Sequence, residues 1–201
     1  MIFIGEATNQ PVEVLERLNP MRALRCEAVG TSCGHGTFRG GFGIDRSFEA
    51  TGDMVLTIHG DRAEVTPFGL AGGLNGGPNM LVLNPGTAGE QELGMHSVGV
   101  EIKKGDRVLY RSNGGGGFGA PFERAPEAVA RDVSDGYIDP TLAREVYGVA
   151  LLERSSTYEV DEDGTRELRR AGPAAHEVGY GPEQLHPVGR NVTLETTRAP
   201  T

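Results

Sequence analysis

With 201 residues, 37% of them hydrophobic, the chain has material for one modest core and for one domain or one and a half. Lys and Arg number 19 against 28 Asp and Glu, and the net charge of -9 disfavours nucleic acid and anionic membrane surfaces as partners. No apolar run approaches the roughly 18 residues of a membrane span, and residues 1–4 lack the basic flank and length of a signal peptide, so a cytoplasmic protein is expected.

In chain order, Asn9, Pro11, Glu13 and the apolar set Val12, Val14, Leu15 and Leu18 predict a short capped helix that ends at Pro20. The pattern then changes to short alternating or apolar runs at 24–29, 41–48, 54–58, 63–66, 80–83, 98–102 and 108–110. Gly, Asp, Asn and Pro separate them, which predicts a mainly antiparallel sheet built from hairpins. Gly60-Asp61-Arg62 recurs as Gly105-Asp106-Arg107, either a convenient turn before a strand or a duplicated hairpin. Of the two cysteines, Cys26 falls on an alternating strand and is expected to face inward, and neither it nor Cys33 has zinc-ligand or CxxC spacing. Glycine is in excess, 31 of 201 residues, and concentrates at 34–43, 69–77 and 114–119, where turns and close backbone approaches are expected.

Helical periodicity follows. Pro126, Ala128, Val129, Ala130 and Val133 predict one helix stopped near Gly136. Asp139 as N-cap and Pro140 at the first position open another, running to Tyr147 and stopped by Gly148, so a helical pair spans about 125–148. Short strands are expected at 149–152 and 157–160, a turn at 161–164 and a polar helical turn at 165–170. Residues 173–201 read as a loosely ordered polar tail. The expected class is α+β: a lead-in helix over 1–20, then a mainly antiparallel β-rich domain over 21–172 that includes the helical pair.

Several blocks in order carry a resemblance. Asn9, Pro11, Val12, Glu13, Leu15 and Glu16 open it. Residues 34–46 follow, with the Arg39-Gly40-Gly41 core and the later Arg46, then Asp61-Arg62 with Pro67, Gly69, Leu70, Gly72 and Gly73. The clearest block is Gly105-Asp106 leading into Gly114, Gly115, Gly116, Gly117, Phe118 and Gly119, then Pro121, Arg124, Pro126, Asp132, Gly136 and Tyr147-Gly148-Val149. Asp161, Thr165, Leu168 and Arg169 close the series. Together these resemble the C-terminal portion of the hydantoinase B, 5-oxoprolinase and acetone carboxylase alpha-subunit family. The chain departs from that family at His35 and Thr37, and it lacks the Asn-Asp-Pro and His-x-x-Asp stretch that supplies metal ligands in the family's N-terminal two thirds.

The resemblance implies a component of an ATP-dependent cyclic-amide hydrolase, or of a related ketone carboxylase, in which ATP is spent to activate a stable carbonyl oxygen. It implies no cofactor in this chain, with ATP and a divalent metal held by partners: a hydantoinase A-like ATP-binding subunit and an N-terminal hydantoinase B-like half. A small-molecule substrate is expected. Such chemistry needs guanidinium groups and backbone N–H donors around phosphate and oxyanion charge. Arg39, Asp61 and Arg62 are therefore the catalytic candidates, with Gly40, Gly41, Arg46, Gly114, Gly115, Gly116 and Gly117 as substrate-binding candidates. Beside each stands a plainer reading: tight bends for the glycines, an ion-paired or surface Arg39, a turn at Asp61-Arg62. No Gly-x-x-x-x-Gly-Lys-Ser/Thr loop, Gly-x-Ser-x-Gly elbow or histidine cluster is present. A truncated non-catalytic assembly or binding module is the alternative function.

Overall fold

The computed structural model describes residues 10–172, so the expected cap at Asn9 and the tail at 173–201 lie outside the described residues. Helix α1 (Val12–Leu18) starts after Pro11, with Glu13 in its first turn and Arg17 in its last, each opposite in sign to its end of the helix dipole. Asn19 closes it, its side-chain amide donating to the Leu15 carbonyl at 3.0 Å. The described chain divides into two compact units, each assembled from several separate stretches.

The first unit, from 10–28, 44–63 and 79–112, holds most of the strands. In chain order these are β1 (Met21–Val29), β2 (Gly43–Ala50), β3 (Met54–Leu56), β4 (Met80–Leu83), β5 (Gln91–Leu93), β6 (Val100–Ile102) and β7 (Arg107–Arg111). A 5-stranded sheet runs β1-β2-β7-β4-β5, and β3 pairs antiparallel with β6. The registers of β2 with β7, β7 with β4 and β4 with β5 are all antiparallel, as the alternating runs predicted. Strand β4 is apolar on both faces because both are covered: Met80 and Val82 pack with Leu109, while Leu81 packs with Leu93 and Met95.

The second unit, from 29–43, 64–78 and the chain from 113 onward, contains the glycine-rich segments and the helices other than α1. These are α2 (Pro126–Ser134), α3 (Pro140–Tyr147), the hairpin β8 (Leu151–Arg154) with β9 (Thr157–Val160), and α4 (Glu162–Ala171). Asp139 caps α3, accepting from the Leu142 amide at 2.7 Å. Gly148 ends it in the left-handed region at φ 60, which a residue with a Cβ adopts only at a cost. Val129, Val133, Ile138, Ala143, Val146, Tyr147 and Val149 form the core, and Leu74 from a glycine-rich segment packs against it. The structure is thus α+β, mainly antiparallel, with a short leading helix and a helical pair.

Some elements differ from expectation. No strand forms at 63–66, because Arg62 takes a left-handed backbone at φ 67 and the chain bends instead of extending. The polar stretch 161–170 is one helix, not a turn and a helical turn: the Asp161 side chain accepts from the Gly164 amide at 3.1 Å and starts α4 directly. Cys26 is exposed, since β1 is an edge strand and most of its residues remain uncovered.

Candidate functional site

In the second unit, extended segments around residues 32–41, 67–77 and 113–119 lie side by side and exchange backbone hydrogen bonds. Gly34 N–H donates to Gly115 O at 2.8 Å, Gly115 N–H to Gly41 O at 2.9 Å, Gly114 N–H to Gly77 O at 3.1 Å and Gly117 N–H to Leu74 O at 2.9 Å. Gly40 N–H donates to Gly34 O at 2.9 Å. These segments approach too closely for side chains between them: a Cβ on Gly40 would enter the Gly115 backbone, on Gly114 the Ser32 carbonyl, on Gly116 the Phe68 carbonyl and on Gly117 the His35 carbonyl. A Cβ on Gly41 would meet nothing. The amides of Gly40, Gly114, Gly115 and Gly117 are therefore engaged within the protein rather than gathered into an anion cradle.

Arg39 emerges from this framework onto a buried carboxylate. Its Nε lies 3.1 Å from Asp132 Oδ2 on α2, and Arg124 Nη2 reaches the same oxygen at 2.9 Å while Arg124 Nη1 donates to Thr37 O at 3.2 Å. The Arg39 guanidinium also sits 4.3 Å from the Phe42 ring, which stacks on Tyr137 at 4.8 Å. Two guanidinium groups on one carboxylate leave the cluster one positive charge in excess. His35 Nδ1 lies 2.8 Å from the Tyr147 hydroxyl and 3.9 Å from Cys33 Sγ. Burial, then the positive charge of Arg124, lowers the His35 pKa to about 4, and burial raises the Cys33 thiol to about 11.

The other predicted residues belong to the first unit. Asp61 and Arg62 occupy an exposed turn, where the Asp61 and Arg62 carbonyls accept from the Asn79 side-chain amide and backbone N–H respectively. His96 Nε2 lies 4.0 Å from the Asp61 carboxylate and meets the His59 ring edge-on at 4.6 Å. Arg46, on β2, lines a small cavity of about 130 Å³ together with Val12, Leu15, Cys26 and Phe48. Its buried neighbour on β2, Asp45, accepts from Arg111 at 2.6 and 2.8 Å and from Arg25, which also lines the cavity, at 2.7 Å. Sequence reasoning missed the Asp132 clamp and the His35–Tyr147 contact, which join residues 93 and 112 positions apart. Among the described residues no group of three or more His, Cys, Asp or Glu side chains comes together to hold a metal ion. No described helix is long and apolar enough to cross a membrane.

A hydantoinase B/oxoprolinase family profile matches residues 1–121. An uncharacterized protein, MJ0963, of Methanocaldococcus jannaschii is 31% identical over 80% of this chain, which covers 28% of that protein. The B-type component of a putative D-/L-hydantoinase from a Pseudomonas strain is 29% identical over 81% of this chain and 27% of its own length. Among solved structures, nucleotide-free acetone carboxylase superposes with a TM-score of 0.69 at 25% identity, over 83% of this chain and 26% of that one. The chain thus spans little more than a quarter of the length of these proteins.

Proposed function

The chain belongs to the hydantoinase B/oxoprolinase family, and from that premise we propose that it is a component of an ATP-dependent cyclic-amide hydrolase of the hydantoinase or 5-oxoprolinase type, or of a related ketone carboxylase. The observation that carries this reading is the family match over 1–121, which takes in the residues the sequence singled out, from Arg39 to Gly117, though not Arg124, Asp132 or Tyr147. Its support from named relatives is a hydantoinase component and an enzyme of ATP-dependent acetone carboxylation.

In this reading ATP and a divalent metal belong to partner chains: a hydantoinase A-like ATP-binding subunit and a polypeptide carrying the N-terminal hydantoinase B-like half. Among the described residues no cluster of three or more His, Cys, Asp or Glu side chains offers a ligand set for a metal. Asp61 and Arg62, exposed on their turn, are the members of the candidate set best able to reach a substrate held by another chain. A guanidinium there would stabilise negative charge developing on a carbonyl or phosphoryl oxygen. Arg39 and the glycines fix the shape of the glycine-rich framework, Arg39 through Asp132.

Co-purification with the partner chains and assay of substrate-dependent ATP hydrolysis, with 5-oxoproline, hydantoins, lactams and small ketones as substrates, tests the reading. Turnover should require this chain, and Arg62→Ala should lower kcat by about 10²-fold with the assembly intact. Equal turnover with and without the chain would leave the non-catalytic assembly module.

A further inference from the structure

On the glycine framework, Phe38 is 68% exposed, Phe68 64%, Leu70 56% and Phe118 53%. Phe38 and Phe118 face one another in an antiparallel bridge, and Leu70 joins Phe118 in a parallel one. Bridge partners on adjacent extended segments carry their side chains on one face. Phe38, Phe118 and Leu70 therefore form a row, with the Phe38 and Phe118 rings 6.5 Å apart and Phe68 two residues upstream of Leu70. We propose that this row is the docking face for the portion of the hydantoinase B/oxoprolinase fold that this chain does not span, carried by a second polypeptide. The inference rests on the reading of the chain as a component of a larger assembly.

The row is built to stay outside. Phe38 N–H donates to Phe118 O at 3.0 Å and Phe118 N–H to Phe38 O at 2.9 Å, while Leu70 N–H donates to Gly117 O at 2.9 Å and Gly119 N–H to Leu70 O at 3.0 Å. Behind the backbone the glycines leave no space into which a ring might turn, since even a methyl at Gly116 would strike the Phe68 carbonyl. Aromatic anchors fixed in this way lose little conformational freedom on association. Together the side chains present on the order of 400 Å² of apolar surface, enough for the centre of an interface of about 800 Å² per partner. A polar edge lies beside it, where Thr37 Oγ1 donates to Ala120 O at 2.8 Å and faces Glu123 at 3.4 Å.

The occupant follows from where the row lies. All its residues fall within the family match, and in the relatives this same portion is joined to the rest of a chain of which it makes up 28%, 27% or 26%. An apolar face left uncovered by the described residues is the natural seat of that remainder. A second copy is disfavoured by the net charge of -9 that each would bring.

The full chain, with Phe38→Ser, Phe118→Ser and the double variant, would be titrated calorimetrically with the polypeptide from the same source that carries the remaining hydantoinase B portion. Each single variant should weaken binding at least tenfold and the double about a hundredfold, with unchanged circular dichroism and Tm. Phe118→Tyr, which keeps the ring, and Leu152→Ser, at an exposed leucine on β8, should bind like the parent. A complex that forms equally well with the double variant overturns the docking face and leaves the component reading standing. A parent chain that forms no complex overturns both. A parent that dimerises through Phe38 and Phe118 assigns the row to a second copy and also overturns the proposal.

Discussion

Cys33, His35 and Tyr147 share a buried space in which a thiol beside an imidazole would, in wetter surroundings, suggest a nucleophile. Here burial holds the thiol protonated, with a pKa raised to about 11, and keeps the imidazole uncharged, with a pKa lowered to about 4, so the thiolate–imidazolium pair is not formed. The titration becomes a stability effect. Between the ordinary histidine value of 6.5 and about 4 the unfolded chain takes up a proton that the folded chain refuses. Stability present above pH 6.5 therefore falls as the pH is lowered and levels off below about 4. Over that window the parent should lose on the order of 3 kcal/mol more than His35→Gln, read as the difference between their urea-unfolding curves. Parallel pH profiles would show that His35 is not the group responsible. The sequence displayed His35 only as a departure from the family pattern. Its environment depends on Tyr147 and Arg124, and nothing in local spacing brings those residues to it.

Among the elements, those with strong local chemistry were the legible ones. Asp139-Pro140 and Gly148 bracket α3, Pro126 opens α2, and the apolar run at 80–83 becomes β4. Strand β5, Gln91–Leu93, was not legible, because it is short, lacks β-branched residues and owes its form to pairing with β4. The glycine segments lie between these cases. Their turns and close approaches were expected, but the identity of each contact is long-range: Gly114 against Ser32, Gly116 against Phe68. Position therefore matters more than residue type. Gly114→Ala must push the Ser32 carbonyl aside and should cost about 3 kcal/mol. Gly41→Ala enters open space without a left-handed backbone, and should be neutral or stabilise by about 0.5 kcal/mol through the unfolded chain. Thermal unfolding of the two variants checks the contrast; equal losses would mean that the glycines serve chain flexibility rather than close packing.

Across the whole molecule, the end of the family match and the end of the fold do not coincide. The match stops at 121, yet the second unit draws its core from Val129, Val133, Ala143, Val146 and Tyr147, and its anchor for Arg39 from Asp132. The pairings of the first unit lie within 10–112: the β2–β7, β7–β4 and β4–β5 ladders all fall there, and so does the Asp45–Arg111 pair. A chain ending after residue 121 would keep every one of those ladders. It would lose the helical core on which Leu74 packs and the Asp132 carboxylate that Arg39 and Arg124 share. Hydrogen exchange should then separate the two units. Amides of β4 and β7 should retain their protection, while those of Gly34, Gly115 and Gly117 exchange at least a hundredfold faster than in the full chain. Undiminished protection of the glycine amides would mean that the mutual backbone bonds of the three segments suffice, and that the helices are added to a framework already stable by itself.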